Sequence, residues 1–185
     1  MDNGASSYRR FLDGDDGGFA DIVRAHRDGL VLFLNRYVKN IHTAEELMEE
    51  TFLQLLLKKA KYSGKSSFKS WLYATARNIA VDYVKKDSRL PSIPIEDLES
   101  YASDESDLER SYIRNEQKIE LHRALARISK IYSEVLYLVY FEDFSNKEVA
   151  MTLGKNERQV RNLLYQAKQA LRSELEKEGF VYEGL

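Results

Sequence analysis

An all-α fold of two small helical domains joined by a flexible linker is predicted for this chain of 185 residues. Apolar residues recur at helical spacing in two long blocks, and the alternating, valine-rich runs typical of strands are few. Only two prolines and nine glycines interrupt the chain. Both prolines, Pro91 and Pro94, lie in one acidic stretch, residues 87–107, which we interpret as the linker. The sequence therefore divides into residues 1–86, with three to four helices, and residues 108–185.

Composition excludes several classes of protein. Hydrophobic residues make up 43% of the chain, enough for packed cores, and charged residues make up 31%. The formal net charge is only −2, so the distribution of charge, and not its total, has to indicate any nucleic-acid partner. The absence of cysteine removes disulfides and thiol chemistry and agrees with a cytoplasmic protein. Residues 1–16 are polar and acidic, unlike a signal peptide, and no apolar run approaches the roughly 18 residues that span a bilayer.

The first block predicts three helices. The inner face of the opening helix consists of Phe19, Ile22, Val23, Leu30, Phe33, Leu34 and Tyr37. Thr43 and Glu46 form the pattern of a capping box, which predicts a second helix over about residues 44–59. A polar loop, residues 61–67, leads into a third helix over about residues 68–86.

The second helix carries two unusual features. Four glutamates lie within six positions near its start, more than helix capping requires: Glu45, Glu46, Glu49 and Glu50. Further along, apolar side chains surround more than one helix face between Leu47 and Leu57. A buried central helix explains such a run, and so does a face that binds a partner, so the sequence leaves both open.

Between residues 58 and 89 the sign of the charge reverses, with nine lysines and arginines against two aspartates. Aromatic residues are interleaved with them: Tyr62, Phe68, Trp71, Tyr73 and Tyr83. A basic groove with aromatic platforms is typical of single-stranded nucleic-acid binding. The alternative is an ordinary core stripe, which we favour for Phe68, Ile79 and Tyr83. Tyr62 lies in a polar loop with no helical stripe to join, so we expect no core role for it.

Residues 120–175 show the pattern of a helix-turn-helix. Ser145 and Glu148 form a capping box that starts one helix. Gly154 suits a tight exit, and Asn156 caps a second helix. The inner side of that second helix consists of Val160, Leu164, Ala167 and Leu171. Its outer side carries Arg158, Arg161, Asn162, Tyr165, Lys168 and Arg172. This outer side favours a helix that enters a major groove, and the alternative is a helical hairpin with a solvated basic face.

These motifs resemble those of the extracytoplasmic-function (ECF) sigma factors, the smallest bacterial members of the sigma-70 superfamily. The resemblance begins at Leu12-x-Gly14-Asp15 followed by Phe19. It continues through residues 44–52 (AEELMEETF) and residues 67–82 (SFKSWLYATARNIAVD), of which the latter signature is the longer and more specific. The helix-turn-helix completes it in the order and at the spacing of the family.

The resemblance implies that the chain binds core RNA polymerase and promoter DNA and directs initiation in the cytoplasm, with no catalytic residue, metal or cofactor. The family's polymerase-binding positions correspond to Glu45, Glu46, Leu47, Glu49, Glu50 and Leu53. The family's positions that capture the unpaired non-template strand at the minus-ten element correspond to Lys61, Tyr62, Ser63, Gly64, Lys65, Phe68, Trp71, Arg77 and Asn78. The family's positions that contact the minus-thirty-five duplex correspond to Asn156, Arg158, Gln159, Arg161, Asn162, Tyr165 and Lys168. The resemblance also implies an anti-sigma factor as a partner, and no membrane insertion of the chain itself.

The chain departs from the family pattern at several positions. Glu49 replaces a glutamine usual in the polymerase-binding helix, and Ala74 replaces a basic residue frequent after the Trp-Leu-Tyr triplet. In the second domain, Ser133, Leu163 and Gln166 stand where arginine is frequent. The promoter sequence therefore cannot be borrowed from any relative.

Two other classes of function explain less of the sequence. A stand-alone helix-turn-helix regulator leaves the glutamate cluster and the Tyr62 loop without a role. An enzyme is not expected, because His26, His42 and His122 are scattered, with no metal-ligand spacing, and neither a glycine-rich phosphate loop nor a nucleophile elbow is present. We expect His122 to be a surface residue.

Overall fold

The computed structural model describes residues 4–58, 62–87 and 116–177. Those residues form eight α-helices and no strand, so the predicted all-α fold is confirmed. Contacts divide the chain into two compact units, Met1–Ala102 and Ser103–Leu185, in agreement with two small helical domains. The predicted linker lies outside the described residues except for its first residue, Asp87, which ends a helix.

The first unit contains four described helices, namely α1 (Ala5–Leu12), α2 (Asp16–Val38), α3 (Ile41–Lys58) and α4 (Phe68–Asp87). α2 packs against each of the other three, and α3 and α4 also pack on each other. The predicted inner face of α2 is confirmed at its centre, where Leu30, Phe33 and Leu34 are completely buried. α2 is therefore the support on which the other helices of this unit are placed.

α1 departs from the expectation of a polar N-terminal segment. Only Tyr8 and Phe11 indicate it in the sequence, and both side chains are buried. Arg10 fastens α1 to the start of α2, because its guanidinium lies 2.7 Å from Asp15 and 2.9 Å from Asp21. Two apolar residues in a short, charged segment are too weak a periodic signal to predict a helix.

The Leu-x-Gly-Asp motif builds the turn between α1 and α2. Gly14 has a φ of +96°, in the left-handed region that favours glycine. Asp15 caps α2 by accepting a hydrogen bond from the Gly17 N–H at 2.9 Å. At Gly18 a Cβ would lie 2.3 Å from the backbone oxygen of Ser7. α1 therefore packs backbone to backbone on the first turn of α2.

The start of α3 corrects the predicted capping box. The Asn40 side-chain oxygen accepts from the Thr43 N–H at 2.8 Å, and the helix begins at Ile41, one turn earlier than predicted. The Thr43–Glu46 box is therefore wrong, because Thr43 is already inside the helix. Its first turn contains no acidic residue.

The second unit contains α5 (Glu116–Arg127), α6 (Lys130–Tyr140), α7 (Asn146–Leu153) and α8 (Glu157–Lys177). α8 packs against each of the other three. The capping box of Ser145 and Glu148 is confirmed, with both of its hydrogen bonds present. Gly154 is confirmed as the left-handed exit, with a φ of +64°. On α8, Val160 and Ala167 are completely buried, as predicted for its inner side.

His122 is not the surface residue that the sequence predicts. It is buried on α5, with its ring edge-on to Phe141 at 4.6 Å and to Tyr137 at 6.0 Å between centroids. Both partners lie on α6 or just beyond its end, too far along the chain for a local pattern to indicate the contact. His122 is a core residue of the second unit.

Candidate functional site

An exposed stripe on α3 joins acidic and apolar side chains. Glu46, Glu49, Glu50, Leu53 and Leu57 follow one another along one helix face, mostly at spacings of three or four residues. All five are exposed, and the two leucines strongly so, at 50% and 71%. We call this set the α3 stripe. Because large apolar side chains are usually covered, a stripe of this kind is typical of a surface that binds a partner.

Two residues predicted to share this surface lie elsewhere. Leu47 is buried at 3% exposed, so the prediction that it contacts a partner is wrong. Glu45 faces its own domain, with its carboxylate 4.0 Å from the Arg27 guanidinium and 3.7 Å from His42. Within the leucine-rich run, Leu47 and Leu55 lie in the core and Leu53 and Leu57 are exposed, so burial explains only part of the run.

An aromatic cluster lies where the loop before α4 meets α1. The Tyr8 ring lies 6.0 Å from Tyr62, 5.0 Å from Phe68 and 5.9 Å from Trp71 between centroids. Tyr62 also contacts Phe68 at 5.6 Å and Trp71 at 5.7 Å. The expectation that Tyr62 has no core role is therefore wrong, because α1 supplies the packing partner that the polar loop lacks.

The loop that carries this tyrosine is closed by hydrogen bonds at its base and open at its tip. The Tyr62 hydroxyl donates to the Ser66 carbonyl oxygen at 2.5 Å. Ser63, Gly64 and Lys65 are exposed, and a Cβ at Gly64, where φ is +71°, would meet nothing within 4 Å. The tip therefore presents backbone groups and a lysine to solvent. Lys61, also predicted to contact DNA, lies outside the described residues.

α4 carries the remaining candidates of the first unit. Trp71, half-buried, and Asn78, exposed, lie seven residues apart and thus on one face of the helix. Arg77 is half-buried, and burial lowers the pKa of its guanidinium. Phe68 is 1% exposed, which confirms its core role and contradicts the prediction that it contacts DNA. Tyr83 is 38% exposed, so the core role predicted for it is wrong.

On α8 the outer face is confirmed as polar and basic. Arg158, Arg161, Asn162 and Tyr165 are exposed. Within the part of the chain that the structure describes, neither arginine forms an ion pair. Lys168 is more enclosed, with its ammonium 5.5 Å from the centre of the Tyr140 ring.

Asn156 and Gln159 form reciprocal hydrogen bonds at the start of α8. Asn156 accepts from the Gln159 N–H at 2.9 Å, which confirms the predicted cap. Gln159 returns the contact by accepting from the Asn156 N–H at 3.0 Å. Their side-chain oxygens are engaged in this reciprocal bond, whereas their amide NH2 groups remain donors on the helix face, together with those of Arg158, Arg161 and Asn162.

A buried carboxyl interacts electrostatically with a lysine in the turn of the helix-turn-helix. Glu134, on α6, is 2% exposed. Burial raises the pKa of its carboxyl to about 8, while the charge of Lys155, in the turn, acts in the opposite direction. Sequence reasoning missed this residue, because a glutamate within an apolar helix gives no sign of which neighbours enclose it.

We expect the stability of the second unit to fall as the pH rises through this range. The folded state keeps the Glu134 proton up to about pH 8, whereas the unfolded chain releases it near the ordinary value of 4.5. The stabilisation is thus full below the unfolded pKa and lost as pH rises through the folded one. Glu134→Gln, which cannot ionise, should flatten this dependence in thermal unfolding measured at about pH 5 and about pH 8. A variant with the same pH slope as the parent protein would contradict the assignment.

Membrane-spanning helices and metal clusters are both absent from the described ranges, 4–58, 62–87 and 116–177. No helix there is long and apolar enough to cross a membrane. No group of three or more histidine, aspartate or glutamate side chains there could hold a metal ion.

Comparisons with known proteins cover both units. Residues 22–90 match the family model of Sigma-70 region 2, and residues 118–171 match that of Sigma-70 region 4. The chain is 26% identical over 158 residues to RNA polymerase sigma factor YlaC of Bacillus subtilis (strain 168), covering 85% of this chain and 91% of that protein. It is 24% identical over 172 residues to the ECF RNA polymerase sigma factor SigW of the same organism, covering 88% and 91%.

Solved structures share the fold. CnrH, in complex with the cytosolic domain of CnrY, superposes with a TM-score of 0.64 at 17% identity, over 95% of this chain and 96% of that chain. The sigma factor RpoE of Bartonella quintana, in complex with the anti-sigma factor NepR, gives a TM-score of 0.65 at 18% identity, over 85% and 96%. With regions 2 and 4 matched in order along its two helical units, the chain belongs to the extracytoplasmic-function sigma factors of the sigma-70 superfamily, which direct RNA polymerase to specific promoters.

Proposed function

We propose that three separate surfaces of this chain divide the work of promoter-specific initiation. The α3 stripe binds core RNA polymerase, the loop before α4 together with Asn78 captures the unpaired minus-ten strand, and the outer face of α8 reads the minus-thirty-five duplex. The observation that carries this proposal is the α3 stripe, because a stand-alone DNA-binding regulator has no use for it. The matched region 2 and region 4 supply the remaining support.

The stripe is suited to a protein partner with a basic and apolar surface. Capping does not explain its glutamates, since the first turn of α3 has no acidic residue. Nor does packing explain Leu53 and Leu57, which are exposed. A contact that combines charge complementarity with desolvated leucines gains both association rate and affinity. Glu45 and Leu47 take no part in it.

Strand capture is assigned to the tip of the loop and to the exposed face of α4. Ser63, Gly64 and Lys65 offer a basic, sterically open surface to a phosphate backbone. Asn78 offers an amide that can donate to and accept from a base edge. Trp71 contributes stacking at the edge of the aromatic cluster, while Phe68 and Tyr62 support it from within. Held bases offset the stacking that they lose in the melted strand.

Duplex reading is assigned to four residues of the outer face of α8: Arg158, Arg161, Asn162 and Tyr165. Arginine can donate two hydrogen bonds to a guanine edge, and asparagine can pair with an adenine edge. Leucine and glutamine at the two positions that are frequently arginine in the family leave fewer phosphate contacts than a typical relative has.

The proposal also covers location, partners and domain limits. The chain acts in the cytoplasm. It catalyses no reaction and requires no cofactor, since the polymerase itself catalyses RNA synthesis. An anti-sigma factor is a further partner, supported by the complex of the fold relative RpoE with NepR. The first domain spans residues 1–86, the linker residues 87–107 and the second domain residues 108–185.

Arg161→Ala should weaken binding to the upstream promoter element. If the guanidinium contacts a guanine edge, the loss is about 1 to 3 kcal/mol and is confined to one base position. If it contacts a phosphate, the loss is uniform across sequences and the salt dependence of binding decreases. Affinity measured on a set of single-base promoter variants at two salt concentrations separates the two. Arg127→Ala, on α5 and not on α8, is the control and should bind normally.

The whole assignment is tested by run-off transcription with bacterial core polymerase on fragments of the source genome. We expect discrete start sites that depend on this chain, and co-purification of the chain with core polymerase. Specific DNA binding without any polymerase association would support a stand-alone regulator instead.

A further inference from the structure

We propose that α1 holds the strand-capturing loop in shape through the ring of Tyr8, which makes Tyr8 a positioning residue for promoter melting. The inference rests on the proposed function of that loop. It adds to that function a segment that the family comparison leaves out, since the match to region 2 begins only at residue 22.

Tyr8 is the common support of every aromatic residue at the base of the loop. It is 1% exposed, and its ring lies within 6.0 Å of the Tyr62, Phe68 and Trp71 centroids. Tyr62 stands edge-on to it, with an interplanar angle of 77°. Edge-to-face contacts at this separation are favourable and directional, so the Tyr8 ring, together with Phe68, which is edge-on to Tyr62 at 5.6 Å, orients the Tyr62 ring as well as placing it.

The orientation of the Tyr62 ring determines the shape of the loop tip. The Tyr62 hydroxyl donates to the Ser66 carbonyl oxygen and thereby closes the loop at its base. The tip is exposed at Ser63, Gly64 and Lys65, and nothing lies within 4 Å of a Cβ placed on Gly64. Its shape therefore depends on the base, where Tyr8 contacts all three of the other rings, Tyr62, Phe68 and Trp71.

α1 is itself anchored firmly enough to serve as a support. Arg10 links it to both Asp15 and Asp21, and its backbone meets the first turn of α2 at Gly18. The path of contacts thus runs from the central helix through α1 and Tyr8 to the loop. Phe11 shares the helix with Tyr8 and packs against Phe19 at 5.4 Å, and its ring reaches the aromatic cluster through Tyr8, 6.4 Å away between centroids.

Phe11 supplies a matched control. Tyr8→Ala and Phe11→Ala each remove one buried ring from α1, but only the first removes the support of the loop. We expect the Tyr8→Ala holoenzyme to lower the permanganate reactivity of unpaired minus-ten thymines by about tenfold, comparable with losing one captured base. Binding to core polymerase and to the upstream element should be unchanged. Phe11→Ala should melt the promoter normally, and Tyr8→Phe, which keeps the ring, should do so too.

A second readout needs neither polymerase nor DNA. Trp71 is the only tryptophan of the chain and belongs to the cluster, so its fluorescence reports the base of the loop in the free protein. Tyr8→Ala should shift its emission to the red and increase its quenching by acrylamide, whereas Phe11→Ala should do neither. If Tyr8→Ala does not fold, Tyr8→Leu replaces it in both experiments.

Some results would overturn the proposal. These are equal melting by the Tyr8→Ala and parent holoenzymes, equal loss in Phe11→Ala, or loss in Tyr8→Phe as large as in Tyr8→Ala. Failure of the proposed function is distinct, because the parent holoenzyme itself would then show no thymine reactivity. The Trp71 emission would still report whether Tyr8 supports the loop.

Discussion

Reversing Glu46 and Glu50 together to lysine should abolish binding of the chain to core RNA polymerase. Both carboxylates are exposed on the α3 stripe, and neither forms an ion pair with another residue of the described ranges. Like charges facing each other across an interface cost several kcal/mol, so we expect affinity to fall by at least about a hundredfold. The fold should survive, because both side chains are exposed and neither belongs to the buried core.

Equilibrium binding to purified core polymerase measures the effect, and circular dichroism checks that the double variant remains helical. Glu45→Lys is the matched control, since it reverses a charge on the same helix but on the side that faces Arg27. It should bind nearly normally, whereas Glu46→Lys alone should bind at least about tenfold more weakly. Leu57→Ser tests the apolar end of the stripe. Normal affinity of the folded double variant would remove α3 from the interface.

Features that depend on neighbours in sequence were predictable. The capping box of Ser145 and Glu148, the left-handed Gly154 and the Asn156 cap each involve residues no more than a few positions apart, and all three are confirmed. The inner side of α8 follows from the same local periodicity. Where two caps competed, local reasoning failed. Asn40 takes the role predicted for Thr43, and the helix begins earlier, at the buried Ile41.

Features that depend on distant partners were not predictable. Tyr62 looks isolated in its loop because the ring that receives it, Tyr8, belongs to a helix that the sequence hardly indicates. His122 looks like a surface residue because Phe141 lies in a different element. Sequence likewise cannot separate Leu47 from Leu53, since both belong to one apolar run and the packing of α3 on α2 and α4 decides which is covered. In each case tertiary packing, absent from local patterns, sets the role.

Asn78→Ala should impair melting of the minus-ten element while leaving the closed complex intact. Asn78 is exposed on α4, seven residues from Trp71 and therefore on the face that continues from the loop. Its amide is suited to pair with a base edge, so its loss should slow open-complex formation by about tenfold, at the lower end of the range for a good side-chain contact to a base. Contacts of the second domain upstream remain, and closed-complex binding should therefore not change.

Permanganate footprinting of unpaired thymines measures the effect, and Asp82→Ala, one turn further along the same exposed face, is the control that should melt normally. A template with a pre-opened bubble should restore part of the activity of Asn78→Ala, because the cost of unpairing is then already met. Asn78 is a cleaner probe than Tyr62, whose removal would also collapse the aromatic cluster and the hydrogen bond to Ser66. Normal thymine reactivity in Asn78→Ala would instead assign strand capture to Arg77 and to Lys85 and Lys86, the basic end of α4.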